Sequence, residues 1–258
     1  MDSILPKVSC LCPTFARVHL LEEAIYSFLL QDYHGSKELI ILNDFTAQEL
    51  HYEADDVHVF NAAARLPTLG DKRNATARLA TGELLLTWGD DDIHLPHRIS
   101  RMVRAMQSFQ SPIVREGCYY CIYAGKITLE RGSTTGANIV EKDSFWECGA
   151  IPSVNCGEDR DFNERIKAFF GMKQIPVASE SPAFVYRFSG TQRTHISSLG
   201  DDLLGKKSGY EIMLEHANKL VSEGKEPSGA VILKPTWRAD YIKLTAPAGT
   251  GYELTAEP

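Results

Sequence analysis

Apolar and polar positions follow one another along the first hundred residues in blocks that read as strand, helix and strand. Residues 7–12 are short, apolar and closed by Pro13, which suits a buried strand. Beyond Pro13-Thr14-Phe15-Ala16-Arg17, apolar residues recur at Leu20, Leu21, Ala24, Ile25, Phe28 and Leu29, the spacing of a helix. Glu22 and Glu23 fall in its early turns, where carboxylates suit the helix dipole. Residues 38–42 form a second predicted strand ending at Asn43-Asp44, and residues 57–60 a third. A helix is predicted over 70–81, with Asp71 near its start, Ala75, Leu79 and Ala80 on its packing side and Gly82 just past its end. The strand over 83–88 then runs into Asp90-Asp91-Asp92 and is stopped by Pro96. Strands alternating with helices predict the α/β class: a mostly parallel sheet, flanked by helices and joined by right-handed crossovers.

Further along, residues 97–108 predict a helix with Ile99, Met102, Val103 and Met106 on one face. Residues 119–124 and 127–129 read as a hairpin, 131–136 as a small polar loop, 138–140 as a strand and 142–148 as a short helix. Glu158 and Asp159 follow Gly157 and open a helix patterned by Phe162, Ile166, Phe169 and Phe170; their spacing alone fits plain capping. Residues 174–178 and 183–188 are strand-like, and a loop with His195 follows them. Past Gly200 come a helical stretch over 203–221, ended by Gly224, two strand-like pieces at 230–235 and 237–244, and an end rich in Gly, Pro, Ala and Thr. The expected organisation is a main domain over 1–200 and a helix-strand extension over 201–258, serving as an acceptor cap or an oligomer contact.

Composition narrows the function classes. With 258 residues, 43% of them hydrophobic, the chain can bury a sizeable core without disulfides. A formal net charge of −7 argues against broad binding to nucleic acid phosphates. The first residues do not suit a secretory leader and no apolar run reaches membrane-spanning length, so a cytoplasmic protein is expected, its six cysteines reduced. Cys118 and Cys121 have zinc-knuckle spacing but lack a second pair, and read as buried thiols.

Three adjacent carboxylates at the carboxyl end of a strand repel one another, yet that end is where ligands bind in an open α/β sheet. A divalent cation bridging to a phosphate would use them, and hard oxygen donors suit Mn²⁺ or Mg²⁺.

The chain resembles the family 2 nucleotide-sugar glycosyltransferases of the GT-A, Rossmann-like fold over residues 7–198. The resemblance is carried in order by Pro13-Thr14-Phe15, Asn43-Asp44, Lys72-Arg73-Asn74 ahead of Ala80-Thr81-Gly82-Glu83, the aspartates before Pro96, and Gly157-Glu158-Asp159. It departs at Gly89, where the family often has a further aspartate. The resemblance implies an inverting, metal-dependent transfer of a sugar from a nucleoside diphosphate, UDP favoured, to a hydroxyl acceptor. Asp91 and Asp92 become the expected metal ligands, with His195 a third, and Asp90 lies toward the ribose or behind the metal. Pro13, Thr14, Arg17, Asp44 and Arg73 are expected around the nucleotide. Asp159 is the expected general base, with Glu158 beside it. The acceptor is left open among a saccharide, a lipid carrier, a protein and a modified nucleobase in DNA, and a homo-oligomer is possible. Two other classes stay open: a nucleotidyltransferase, and a non-catalytic sugar-nucleotide or glycan-binding relative.

Overall fold

The computed structural model describes residues 5–123, 126–132, 137–176, 182–187 and 209–245. In chain order the elements are β1 (Val8–Thr14), α1 (Val18–Leu29), β2 (Lys37–Asn43), β3 (Gln48–His51), β4 (Val57–Asn61), α2 (Leu69–Leu79), β5 (Leu84–Thr87) and β6 (Ile93–His94). There follow α3 (Arg98–Phe109), β7 (Ile113–Arg115), β8 (Cys118–Tyr123), β9 (Lys126–Arg131), β10 (Asn138–Glu141), α4 (Lys142–Glu147), α5 (Glu158–Phe170) and β11 (Lys173–Gln174). Last come β12 (Phe184–Arg187), α6 (Gly209–Ser222), β13 (Gly229–Ile232) and a 3₁₀ turn at Tyr241–Thr245.

The central sheet runs β11-β7-β10-β5-β1-β2-β4, parallel except where β10 lies antiparallel between β5 and β7. Strict alternation sends its side chains to two cores. Cys10, Cys12, Leu39, Ile41, Leu84 and Leu86 pack on one side with α1 and α3, while Ile40, Leu85 and Val140 pack on the other with α2, α4 and α5. The chain leaves β1 toward β2 and β4 but returns to place β5 on β1's other flank. The sheet therefore changes direction between β1 and β5, and a cleft opens at their carboxyl ends. A smaller sheet, β6-β12-β8-β9, stands beside that cleft.

Several expectations need revision. The packing side of α2 is more polar than expected: Ala80 is buried and Leu79 packs on the same core, but Lys72, Asn74 and Thr76 are buried there too with Ala77, and Ala75 is only partly covered. The helix stops at Leu79, and Gly82 does not cap it; a Cβ there would lie 2.6 Å from Ser9 Oγ and 2.7 Å from the Lys7 carbonyl, so β1 passes too close for any side chain. Phe169 faces solvent at 62% exposure. Residues 237–244 form no strand, and β3 and β7 are strands that their short, mixed patterns did not announce. Glu23 is not a solvated helix-start carboxylate but is buried.

The extension beyond residue 209 is built into the main domain. β13 pairs in parallel with β3, and α6 sets Ala217 and Met213 against Phe15 and Phe45. The first turn of α1 has no acidic residue and no side-chain cap of its own. Glu226 fills that role from 208 residues away, accepting from the Val18 N–H at 2.7 Å. Burial works against its charge, but nearby His19, the Val18 N–H and Gln48 outweigh this and leave its pKa lowered. Among the described residues no helix is long and apolar enough to cross a membrane. All six cysteines are free thiols.

At the amino end of the sheet, Glu38 is buried and accepts from Ser9 Oγ at 2.6 Å and the Thr81 N–H at 2.6 Å, with Lys7 2.9 Å away. Burial raises its pKa, yet these donors win and hold it at about 2. A carboxylate lowered from its usual 4.5 stabilises the fold above that value and loses its contribution as pH falls toward 2. Glu38→Gln is therefore expected to cost on the order of 3 kcal/mol near neutral pH. Urea titrations at pH 7 and pH 3 check this: the gap between parent and variant should shrink at the lower pH.

Candidate functional site

The site forms where β1 and β5 end. Thr14, the last residue of β1, donates from Oγ1 to Asp90 Oδ2 at 2.7 Å, joining the two strands at the point where the sheet changes direction. Ala16 then takes a left-handed backbone, φ 49°, and the chain doubles back into Arg17. Arg17 grips Asp90 through Nη2 at 2.6 Å and Nε at 3.2 Å, and Asp91 through Nη1 at 2.7 Å. Asp92 turns the other way and accepts the Arg187 N–H through Oδ1 at 3.1 Å.

All three aspartates are buried, at 2%, 6% and 7% exposure. Burial raises the pKa of Asp90, with Arg17 opposing it, and raises that of Asp92 further, with Asp91's charge adding to the effect. Burial opposes the charge on Arg17, but Asp90, Asp91 and Asp92 outweigh it and hold the guanidinium above its usual range. Lys72 also acts on Asp90, and Arg187 and Arg98 on Asp92, but burial outweighs them all and disfavours the charged carboxylates.

Gly89 explains the departure from the aspartate pattern. A Cβ at that position would lie 2.5 Å from Asp92 Oδ2 and 3.5 Å from Asp91 Oδ1. The carboxylate of Asp92 therefore packs directly over Gly89, with that of Asp91 close by, and leaves no room for a side chain there; two such carboxylates are a hard donor pair suited to a divalent cation. Among the described residues no three His, Cys, Asp or Glu side chains converge as a metal cage. A cation here would take two protein carboxylates and draw further oxygens from a bound diphosphate. His195 lies outside the described residues.

The residues expected around the nucleotide divide into two groups. Asp44 is buried, accepts from the Leu66 N–H at 3.2 Å and pairs with Lys72 Nζ, which also donates to the Thr14 carbonyl. Burial lowers the pKa of Lys72, with Asp44 pulling it back. Lys72, which the sequence offers only as part of a motif, thus ties the ends of β1 and β2 together. Arg65 stacks over Phe15, 4.2 Å from the ring centroid, at the same end of the sheet.

Pro13 and Arg73 line a narrow cavity on the other face of β1, together with Asn138, Phe145 and Asp159. Arg73 Nη2 lies 3.3 Å from Glu158, which is buried, while Asp159 is half-buried at the cavity wall and accepts the Arg160 N–H at 2.7 Å. Burial raises the Glu158 pKa and Arg73 lowers it in part. Arg73 Nε is buried with no hydrogen-bond partner among the described residues. The loop into α5 is tied to α2 by Asn74, which exchanges both amide bonds with Ile151 at 2.7 and 3.0 Å. A larger hollow of about 660 Å³ lies beside Gly82 and Lys142, at the amino ends of the strands and far from these groups.

Residues 9–125 match the model of Glycosyl transferase family 2, a little under half of the chain. No curated protein matches the chain by sequence. Among solved structures, S. aureus TarS is similar at 14% identity and a TM-score of 0.56, covering 70% of this chain and 37% of that one. TarS 1–349 in complex with UDP aligns at 15% identity and TM-score 0.57, covering 71% and 61%. The same fragment in complex with UDP-GlcNAc aligns at 14% and 0.57, covering 70% and 58%. The chain thus spans under two thirds of the length of each. Over residues 9–125 the chain is thus similar in sequence to Glycosyl transferase family 2, and its central sheet with the flanking helices has the GT-A, Rossmann-like fold of TarS.

Proposed function

We propose that the chain is an inverting glycosyltransferase, which transfers a sugar from a nucleoside diphosphate to an acceptor hydroxyl with the help of a divalent cation. One observation carries the reading: three adjacent buried aspartates sit where the sheet changes direction, while Asp159 lines a cavity on the neighbouring face of β1. The UDP and UDP-GlcNAc complexes of TarS favour a UDP-sugar as donor.

In this reading Asp91 and Asp92 hold Mn²⁺ or Mg²⁺, which when bound supplies Lewis-acid stabilisation to the departing diphosphate. Asp90 and Thr14 keep the turn in register, and Arg17 offsets the aspartates until the cation enters. Asp44, fixed by Lys72, accepts from a base N–H, and Pro13 and Arg73 bound the nucleotide side of the cavity. Asp159 takes the proton of the acceptor hydroxyl as its oxygen forms a bond to the anomeric carbon. The bond from that carbon to the diphosphate oxygen breaks on the opposite face, so an α-linked donor gives a β-linked product. Glu158, held by Arg73, stays beside the base and keeps it in place. His195 completes the proposed ligand set. The remainder of the extension serves as acceptor cap or oligomer contact.

Calorimetric titration with UDP in Mn²⁺ is expected to show tight binding by the parent and at least a tenfold loss in Asp91→Ala. Equal affinity in the variant would remove Asp91 from the site. Gly89→Ala would put a Cβ 2.5 Å from Asp92 Oδ2 and push that carboxylate out of place, so it is expected to weaken Mn²⁺ uptake several-fold; unchanged uptake would remove Asp92 from the cation's site. For the base, Asp159→Asn should lower turnover of UDP-sugar by at least a thousandfold and leave UDP binding within about twofold. Normal turnover in that variant would exclude Asp159 from the chemistry.

A further inference from the structure

Arg187 reaches in two directions. Its backbone N–H donates to Asp92 Oδ1 at 3.1 Å, and its guanidinium pairs with Glu23 Oε2 at 2.7 Å. Glu23 lies in α1 at 2% exposure, and its other oxygen accepts the Arg238 N–H at 2.9 Å and the Tyr241 hydroxyl at 3.2 Å. The guanidinium also stands 5.8 Å from the centroid of the Tyr241 ring. A buried carboxylate holds its partner firmly, because separating them leaves a charge without water.

This hold falls on the end of a strand. β12 pairs antiparallel with β6, Phe184 against His94 and Val185 against Ile93. One step further along that register brings Tyr186 and Arg187 beside the aspartate turn. The Arg187 N–H is thus the last link of β12 to Asp92, and the position of that link is set by what grips the Arg187 side chain. The grip comes from α1 and from residues 237–241, where Trp237 donates to Ser27 Oγ at 2.9 Å and packs against Tyr241.

We infer that Arg187 is a positioning residue for Asp92, and that Glu23 and Tyr241 set its place, so that the far end of the chain tunes how well the aspartate turn takes a cation. This rests on the metal reading proposed above. Partners behind a metal ligand typically change metal affinity by about 10- to 100-fold when removed.

The test is a Mn²⁺ titration in the presence of saturating UDP, with free Mn²⁺ followed by electron paramagnetic resonance, alongside thermal melts of each protein. Glu23→Gln is expected to weaken Mn²⁺ binding about tenfold. Tyr241→Phe, which keeps the ring and its packing, is expected to weaken it in the same direction by a smaller factor. Arg187→Lys should recover most of the affinity that Arg187→Leu loses, since an ammonium can still reach Glu23. Unchanged Mn²⁺ affinity in Glu23→Gln and Tyr241→Phe, with lowered melting temperatures alone, would overturn the inference and leave the network purely structural. A parent that takes up no Mn²⁺ with UDP would overturn the metal reading and this inference together.

Discussion

Three adjacent carboxylates are withdrawn from water at the carboxyl ends of β1 and β5, and the surrounding architecture is arranged to tolerate it. A buried charge without compensation costs several kcal/mol, so the neighbouring groups are not free to vary. Arg17 must reach back across the cleft to Asp90 and Asp91, which requires the left-handed turn at Ala16, itself a cost of about 1 kcal/mol or more. Thr14 must end β1 with its hydroxyl toward Asp90. Asp92 must be met by the Arg187 N–H, which obliges the smaller sheet to stand where it does. Every element that meets at this turn is thus tied to one of the three aspartates.

Lys72-Arg73-Asn74 shows how one helix serves both halves of the cleft. Successive residues on an α-helix are about 100° apart, so three in a row point in three directions. Lys72 turns to the ends of β1 and β2, Arg73 to Glu158, and Asn74 to the Ile151 backbone ahead of α5. The distance between the aspartate turn and Asp159 is thereby referred to a single rigid element. A packing face of this kind carries polar residues because it holds a site together as well as a core.

The main sheet was legible because β1, β2 and β5 are apolar runs and their helices follow a 3.6-residue period. Periodicity failed where burial is polar. Lys72 and Asn74 look solvent-facing, Glu23 looks like a dipole partner, and each is buried against a partner many residues away. The candidate residues Pro13, Thr14, Arg17, Asp44, Arg73 and Asp90 to Asp92 could be named from their motif, and they gather at one end of the sheet. That Arg17 would hold two aspartates, or that Arg187 would meet the third, depends on pairings across 74 and 95 residues that no local pattern encodes. The two strand-like pieces near the end read ambiguously for the same reason: β13 gains its strand by pairing with β3, and among the described residues, 237–244 pair with no strand.

The Glu226 cap on α1 bears on the order of events when the chain is made. α1 belongs to the earliest crossover, yet the carboxylate that satisfies its first turn, and the segment that covers Glu23, are translated some two hundred residues later. Contacts of such sequence separation are slow to close and raise the contact order of the whole domain. While the chain is still emerging, β1, α1 and β2 would therefore expose an uncapped helix end and the unpaired edge of β3, a state suited to capture by chaperones. Native packing of the amino-terminal half then waits on the carboxyl-terminal segment, and a truncation before residue 226 would be felt first in α1.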